Sequence, residues 1–323
     1  MVIFRVMQRI IVAALLMSSL IIIPPIHTVL AADAESDVEK YTLEINADPN
    51  NASNYYYRGC AYIELKDYGK AVDDFSEAIR LKPTSDGSYR KRGVAYLRLN
   101  KYDEAISDFS KTIRLNPEDS LAYYDRGLAY YYLENYTQAI SNYTEAIQIN
   151  PNYYYAFHDR GLAYSEMGDH RQAIRDYTKA IEIDPNNASA YDNRGSAYSD
   201  LGDNQKAIQD YNKAIELNPN YFGTYNNRGS VYLNLENYTE AISDFTKAIQ
   251  INPNNEIVYN NRAIAYKNLG RYHDAINDYT KAIELNPNYA EAYEKRAELY
   301  LKYLKNEEQY KADMAKAESI RNS

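Results

Sequence analysis

Arginine recurs at Arg58, Arg92, Arg126, Arg160, Arg194, Arg228, Arg262 and Arg296, every 34 residues without a slip. Self-similarity at such a period marks a stacked repeat architecture, in which each unit is one supersecondary element that buries its apolar face only against its neighbours. Counted from Ala52, eight repeats run end to end: 52–85, 86–119, 120–153, 154–187, 188–221, 222–255, 256–289 and 290–323.

Each repeat reads as two amphipathic helices. In the first, Tyr55, Gly59 and Tyr62 return as Tyr89, Gly93 and Tyr96, and offsets of four and three place them on one helical face. In the second, Ala71, Phe75, Ala78 and Ile79 return as Ala105, Phe109, Thr112 and Ile113. Proline then closes the repeat, from Pro83 to Pro287, since it cannot continue a helical hydrogen-bond ladder. A glycine in mid-helix costs about 1 kcal/mol relative to alanine. One nevertheless stands there from Gly59 to Gly229, with Ala263 and Ala297 in the last two repeats, which predicts a close crossing of the two helices.

These offsets resemble the tetratricopeptide repeat family, a 34-residue helix–turn–helix pattern, over all of 52–323. Two departures are systematic: Tyr or Phe157 replaces the family's tryptophan, and Arg replaces the leucine before glycine. The resemblance implies an all-α, right-handed solenoid whose first helices line a concave groove for extended peptides or partner helices. Residues 32–51 are expected to be a linker followed by a degenerate half-repeat, because 41–49 mimics the end of a repeat. The eighth repeat gains one residue in its turn, and its charged second helix, about 307–320, suits a solubilising cap.

Sixteen residues after their arginines stand Asp74, Asp108, Asp176, Asp210, Asp244 and Asp278, with Asn142 the exception and Asp313 continuing the column across the insertion. A partly buried arginine needs a partner, so each is expected to clamp the aspartate of its own hairpin. The groove is expected on the face opposite the Tyr–Gly–Tyr stripe. There Asn193, Asn227 and Asn261 repeat in register, with Asn226 and Asn260 beside two of them. They resemble the asparagine ladder of O-linked N-acetylglucosamine transferases, which holds peptide backbone; an amide both donates and accepts. The plainer alternative is that Asn is abundant in this chain. Toward the N-terminus the same face offers Tyr56, Tyr57, Tyr124, Tyr131, Tyr132, Tyr155 and His158, as an aromatic lining or as packing within the solenoid. The family's clamp for C-terminal carboxylates is not matched, since Val94 and Asp125 follow Arg90 where it would need other residues.

Composition narrows the function classes. A net charge of −9 without a basic stripe speaks against nucleic acid. The single cysteine, Cys60, excludes an internal disulfide and reads as a small buried hydrophobe. His158, His170 and His273 lack metal-ligand spacing, and no phosphate-binding or nucleophile-elbow motif is present, so neither a cofactor nor enzymatic activity is expected. Arg5 and Arg9 precede an uncharged apolar run over 10–23, then Pro24 and Pro25, with Val29 and Ala31 suited to cleavage after Ala31. Residues 1–31 are thus expected to be a signal peptide, or 10–32 an uncleaved anchor and the only membrane contact. Either would carry the repeats outside the cytoplasm. The expected role is an extracytoplasmic adaptor for a protein or peptide partner; the alternatives are a self-assembling envelope protein and a regulatory subunit of an envelope enzyme.

Overall fold

The structure, a computed structural model, describes residues 26–322, with side chains from Asp33 onward. The apolar run of the expected signal or anchor lies outside the described residues. Among the described residues there are seventeen α-helices and no strands. The first, α1 (Ile26–Ala47), is continuous, so the linker expected at the start of 32–51 is helical instead. None of the described helices is long and apolar enough to cross a membrane. The rest pair as α2 (Ala52–Glu64) with α3 (Tyr68–Leu81), α4 (Asp86–Arg98) with α5 (Tyr102–Leu115), and α6 (Ser120–Tyr132) with α7 (Tyr136–Ile149). Beyond these come α8 (Tyr154–Glu166) and α9 (His170–Ile183), α10 (Ala188–Asp200) and α11 (Asn204–Leu217), and α12 (Phe222–Asn234) and α13 (Tyr238–Ile251). The chain closes with α14 (Glu256–Asn268) and α15 (Tyr272–Leu285), then α16 (Ala290–Lys302) and α17 (Glu307–Arg321). The helices fall into two compact bodies, one ending at Ile149 and the other beginning at Asn150.

Local chemistry sets the boundaries of each hairpin. Asn51, Asp67, Ser85, Asp119, Asp169 and Asn187 accept from backbone N–H groups of the first turn that follows them, satisfying donors a helix start leaves open. Where the first helix ends, the chain enters the left-handed region at Lys66, Asn100, Glu134, Gly168, Gly202, Glu236 and Gly270. In the first hairpin Lys66 N–H donates to the Ile63 carbonyl and Asp67 N–H to that of Tyr62, closing a Schellman turn. The eighth hairpin carries its left-handed residue at Lys305, displaced by the inserted residue.

The mid-helix glycines face aromatic rings of the second helix. A Cβ placed on Gly59 would stand 2.9 Å from Phe75 Cε1, and on Gly127 2.7 Å from Tyr143 Cε1. In the C-terminal body, Gly195 meets Tyr211 and Gly229 meets Phe245 in the same way, at 2.9 and 2.8 Å. The glycine lets the ring lie flat on the first helix, and the rings are fully or almost fully buried. Burial of one such ring is worth about 2–3 kcal/mol, more than the helical cost of glycine. At the C-terminal end Tyr279 is buried against the repeat that carries Ala263, so one methyl group is accommodated there.

Candidate functional site

One flank of each first helix carries the arginine. Arg58 Nε and Nη2 donate to Asp74 Oδ2 and Oδ1 at 2.8 and 2.7 Å, and Arg92 holds Asp108 with two bonds of 2.8 Å. In the C-terminal body Arg160–Asp176, Arg194–Asp210, Arg228–Asp244, Arg262–Asp278 and Arg296–Asp313 repeat this two-pronged geometry at 2.6–2.8 Å. Arg126 instead donates to Asn142 Oδ1 at 2.7 Å, and Asn142 passes a hydrogen bond to the Gln138 carbonyl. The missing charge is felt: burial lowers the Arg126 pKa, whereas the bond to Asp108 raises that of Arg92.

The third nitrogen has a partner that the sequence reading missed. Nη1 of Arg58, Arg92, Arg126, Arg194, Arg262 and Arg296 donates to the hydroxyl sixteen residues earlier, on Thr42, Ser76, Ser110, Thr178, Thr246 and Thr280, at 2.9–3.1 Å. Arg228 does the same to Asn212 Oδ1. Thr42, Ser76 and Thr178 donate in turn to carbonyls four residues back. Each of these arginines therefore ties its own hairpin to the second helix of the repeat before it, and α1 serves as that helix for Arg58.

The opposite flank carries the residues expected to bind peptide. In the C-terminal body they pair with a step of 35 residues. Asn193 Nδ2 donates to His158 Nε2 at 3.0 Å, and Asn261 Nδ2 donates to Asn226 Oδ1 at 3.2 Å. His158 Nδ1 lies 2.8 Å from Asp159 Oδ1. Since Nε2 accepts from Asn193, the imidazole is assigned as the neutral tautomer donating from Nδ1. His158 also stacks on Tyr154 with centroids 5.7 Å apart. Two expectations are corrected here. His158 is 9% exposed and Asn260 3%, so neither lines an open face. His158 is covered by Ser189 and Asn193 of the next repeat. The amide groups of Asn193 and Asn261 already donate between repeats.

In the N-terminal body the same step pairs Arg90 with Asp125, at 3.5 Å, while Asp119 lies 3.6 Å from Arg90. Burial pushes Asp125 up to about 6, with Asp119 adding to the shift and Arg90 opposing it. Most of the expected aromatic lining is packing. Tyr56 is half-buried edge-on against Phe75, and burial pushes its phenol up to about 12. Tyr124 meets Tyr143 at 5.7 Å, Tyr131 meets Tyr136 at 5.4 Å, and Tyr132 stacks on Tyr102 at 5.4 Å. Two tyrosines remain open: Tyr57, 49% exposed and stacked on Tyr41, and Tyr155, 45% exposed. Cys60 is half-buried, and burial raises its pKa. Among the described residues no group of three or more His, Cys, Asp or Glu is placed to hold a metal ion.

One member of the variable flank was not singled out from the sequence. Asp192 stands in the column of His158, Asn226 and Asn260, is 7% exposed, and its Oδ1 has no hydrogen-bond partner among the described residues. Burial pushes its pKa up to about 6, with Thr224 and Asn227 pulling the other way.

Comparison with known proteins agrees with the repeat geometry. The family model described as tetratricopeptide repeat matches residues 52–85, 154–187, 223–255 and 257–289. Two further models of that description match 90–154, and 176–209 with 278–317, and one described as TPR repeat matches 195–236. No curated protein sequence matches the chain. Among solved structures, a tetratricopeptide repeat protein from Parabacteroides merdae superposes with TM-score 0.59 at 18% identity, over 77% of this chain and 98% of that one. YrrB, a TPR protein with an unusual peptide-binding site, gives TM-score 0.50 at 24% identity, over 58% and 96%. MamA gives 0.48 at 29% identity, over 49% and 93%. With the matched models running across most of 52–317 in the register of its paired helices, the chain belongs to the tetratricopeptide repeat family.

Proposed function

We propose that this chain is a protein-binding scaffold, not an enzyme, and that it captures a segment of a partner on the variable flank of its first helices. One observation carries the reading. The Arg–Asp flank repeats almost unchanged, while the column beginning at Tyr56 changes to Arg90, Tyr124, His158, Asp192, Asn226, Asn260 and Glu294. A scaffold needs identical parts where repeats join and different ones where it reads a partner. With their amide N–H groups engaged between repeats, the side-chain carbonyl oxygens of Asn193 and Asn261 would suit the N–H groups of an extended segment. The N-terminal pattern of basic flank, apolar run and small residues supports a place outside the cytoplasm, by a cleaved signal or a retained anchor.

The test is affinity capture from envelope extracts with the full chain beside a variant carrying Asn193→Ala, Asn227→Ala and Asn261→Ala, followed by cross-linking to map the contact. A partner held by the parent, cross-linked to α10, α12 or α14 and lost from the variant supports the reading. A partner that cross-links to the second helices and ignores the triple substitution defeats it. Self-assembly is a second reading, favoured by exposed apolar residues at successive turns: Leu99 and Leu133 in one body, Met167, Leu201, Leu235 and Leu269 in the other. Sedimentation of the pure protein as concentration-dependent oligomers would put that reading first.

A further inference from the structure

Among the described residues, each buried aspartate faces a cationic or imidazole partner, with one exception. Asp74, Asp108, Asp176, Asp210, Asp244, Asp278 and Asp313 each face an arginine, and Asp159 faces His158. Asp192 faces none: Thr224 and Asn227 donate to the carboxylate, but no cation contributes to its electrostatics and Oδ1 is unpartnered. An unsatisfied buried carboxylate costs several kcal/mol and in a native protein needs an explanation.

The repeat before it shows what is missing. There the ring nitrogen of His158 is met by Asn193, 35 residues on, and by the hydroxyl of Ser189, 31 residues on, at 3.4 Å. For Asp192 the corresponding positions are Asn227 and Gly223. Glycine supplies no hydroxyl at this place; the neighbouring Thr224 donates to the carboxylate from one residue further on, yet Oδ1 stays unmet. The ring of Tyr221 lies beside the glycine instead, 2.8 Å from where a Gly223 Cβ would stand. The negative charge of Asp192 also raises the Tyr221 pKa, as burial does, which places ring and carboxylate within electrostatic reach. A buried carboxylate with one oxygen unmet and no cation near it, within electrostatic reach of an aromatic ring, is the chemistry that takes a cation: an ion pair on one side and a cation–π contact on the other. Two repeats beyond in the column position, Asn260 Oδ1 is likewise buried without a partner, so a second unmet acceptor follows the first.

Resting on the scaffold reading above, we infer that the partner segment is basic, and that a lysine or arginine side chain enters between α10 and α12 to pair with Asp192 beside Tyr221. The net charge of −9 steers a basic segment toward this chain and an acidic one away, within the screening length of about 8 Å at physiological salt. This residue is then a selector of partner sequence, while the asparagines at Asn193 and Asn261 hold backbone irrespective of sequence.

An oriented library tests it. Nonapeptides random at every position except a central lysine, acetyl-lysine, norleucine or glutamate are presented as four pools to the full chain and to Asp192→Asn. The parent is expected to retain the lysine pool at least about fivefold over the acetyl-lysine and norleucine pools, a ratio that corresponds to about 1 kcal/mol. In Asp192→Asn the ratio should fall to about one. Equal retention of all pools by the parent overturns the inference and leaves the scaffold reading intact. A lysine preference that survives in a folded Asp192→Asn overturns the assignment to this carboxylate. No retention of any pool overturns both. Because acetyl-lysine removes the charge from the peptide and not from the protein, the comparison decides the question even if the variant does not fold.

Discussion

The two flanks of the first helices follow opposite rules. On one, Arg194 has all three of its donor nitrogens engaged, two on Asp210 and one on Thr178, and the same arrangement returns at Arg58 and Arg262. On the other, the step-35 pairs are histidine with asparagine, asparagine with asparagine, and arginine with aspartate. The first flank is a closed network in which each arginine but Arg126 meets a carboxylate, and the second is assembled from whatever each repeat supplies. What the difference teaches is where change is tolerated. A substitution on the closed flank strands a charge, and one at an amide pair of the variable flank, such as Asn193 or Asn261, removes only a hydrogen bond between neutral groups.

Three measurements would sharpen or break that contrast. The largest effect is expected for Arg194→Ala, which leaves Asp210 buried and unpaired and cuts the tie to Thr178. Denaturant unfolding should lose about 3–5 kcal/mol, against about 1 kcal/mol or less for Asn193→Ala. Equal losses would abolish the distinction between flanks. Next comes Asp192→Asn. The carboxyl pKa rises from 3.8 to about 6 in the folded state, so the native protein holds the proton more tightly than the unfolded chain. Stability from this group is therefore full below about pH 4 and is lost as pH rises through about 6, by about 3 kcal/mol. The variant should match the parent near pH 4 and exceed it by up to about that amount at pH 7, in urea midpoints taken at both. A constant difference across this range would mean that Asp192 is solvated. The smallest effect belongs to Asn142→Asp, which gives Arg126 the carboxylate its counterparts have. A gain of about 1 kcal/mol is expected, with the Arg126 resonance shifted in nitrogen-15 spectra; a loss would show that repeat three is built around its amide.

Much of the fold was legible because it is written in one period. Gly59 and Phe75, or Arg58 and Asp74, stand at constant separations in nearly every repeat, and a constant separation on paired helices is a contact. The hydroxyl column of Thr42, Ser76 and Ser110 keeps the same period, so it could have been read; it was passed over because Ser and Thr are ordinary on a helix surface. The burial of His158 and Asn260 was not legible. Whether a side chain on the variable flank is covered depends on the residues 31 and 35 positions ahead, and that combination changes along the array. The same dependence hides Asp192: its character comes from Gly223, which read alone is only a flexible position.

The arginine's reach in both directions along the chain, sixteen residues forward and sixteen back, bears on how the gene for such a chain can change length. Whole 34-residue blocks can be duplicated or excised from any starting point, because arginines such as Arg58, Arg92 and Arg194 find a carboxylate ahead and a hydroxyl behind at one fixed spacing. A cut of any other size leaves a guanidinium without one or both. The variable flank meanwhile travels with each block as a reading of one partner position, so lengthening the array adds a letter to the recognised segment without redesigning the joints.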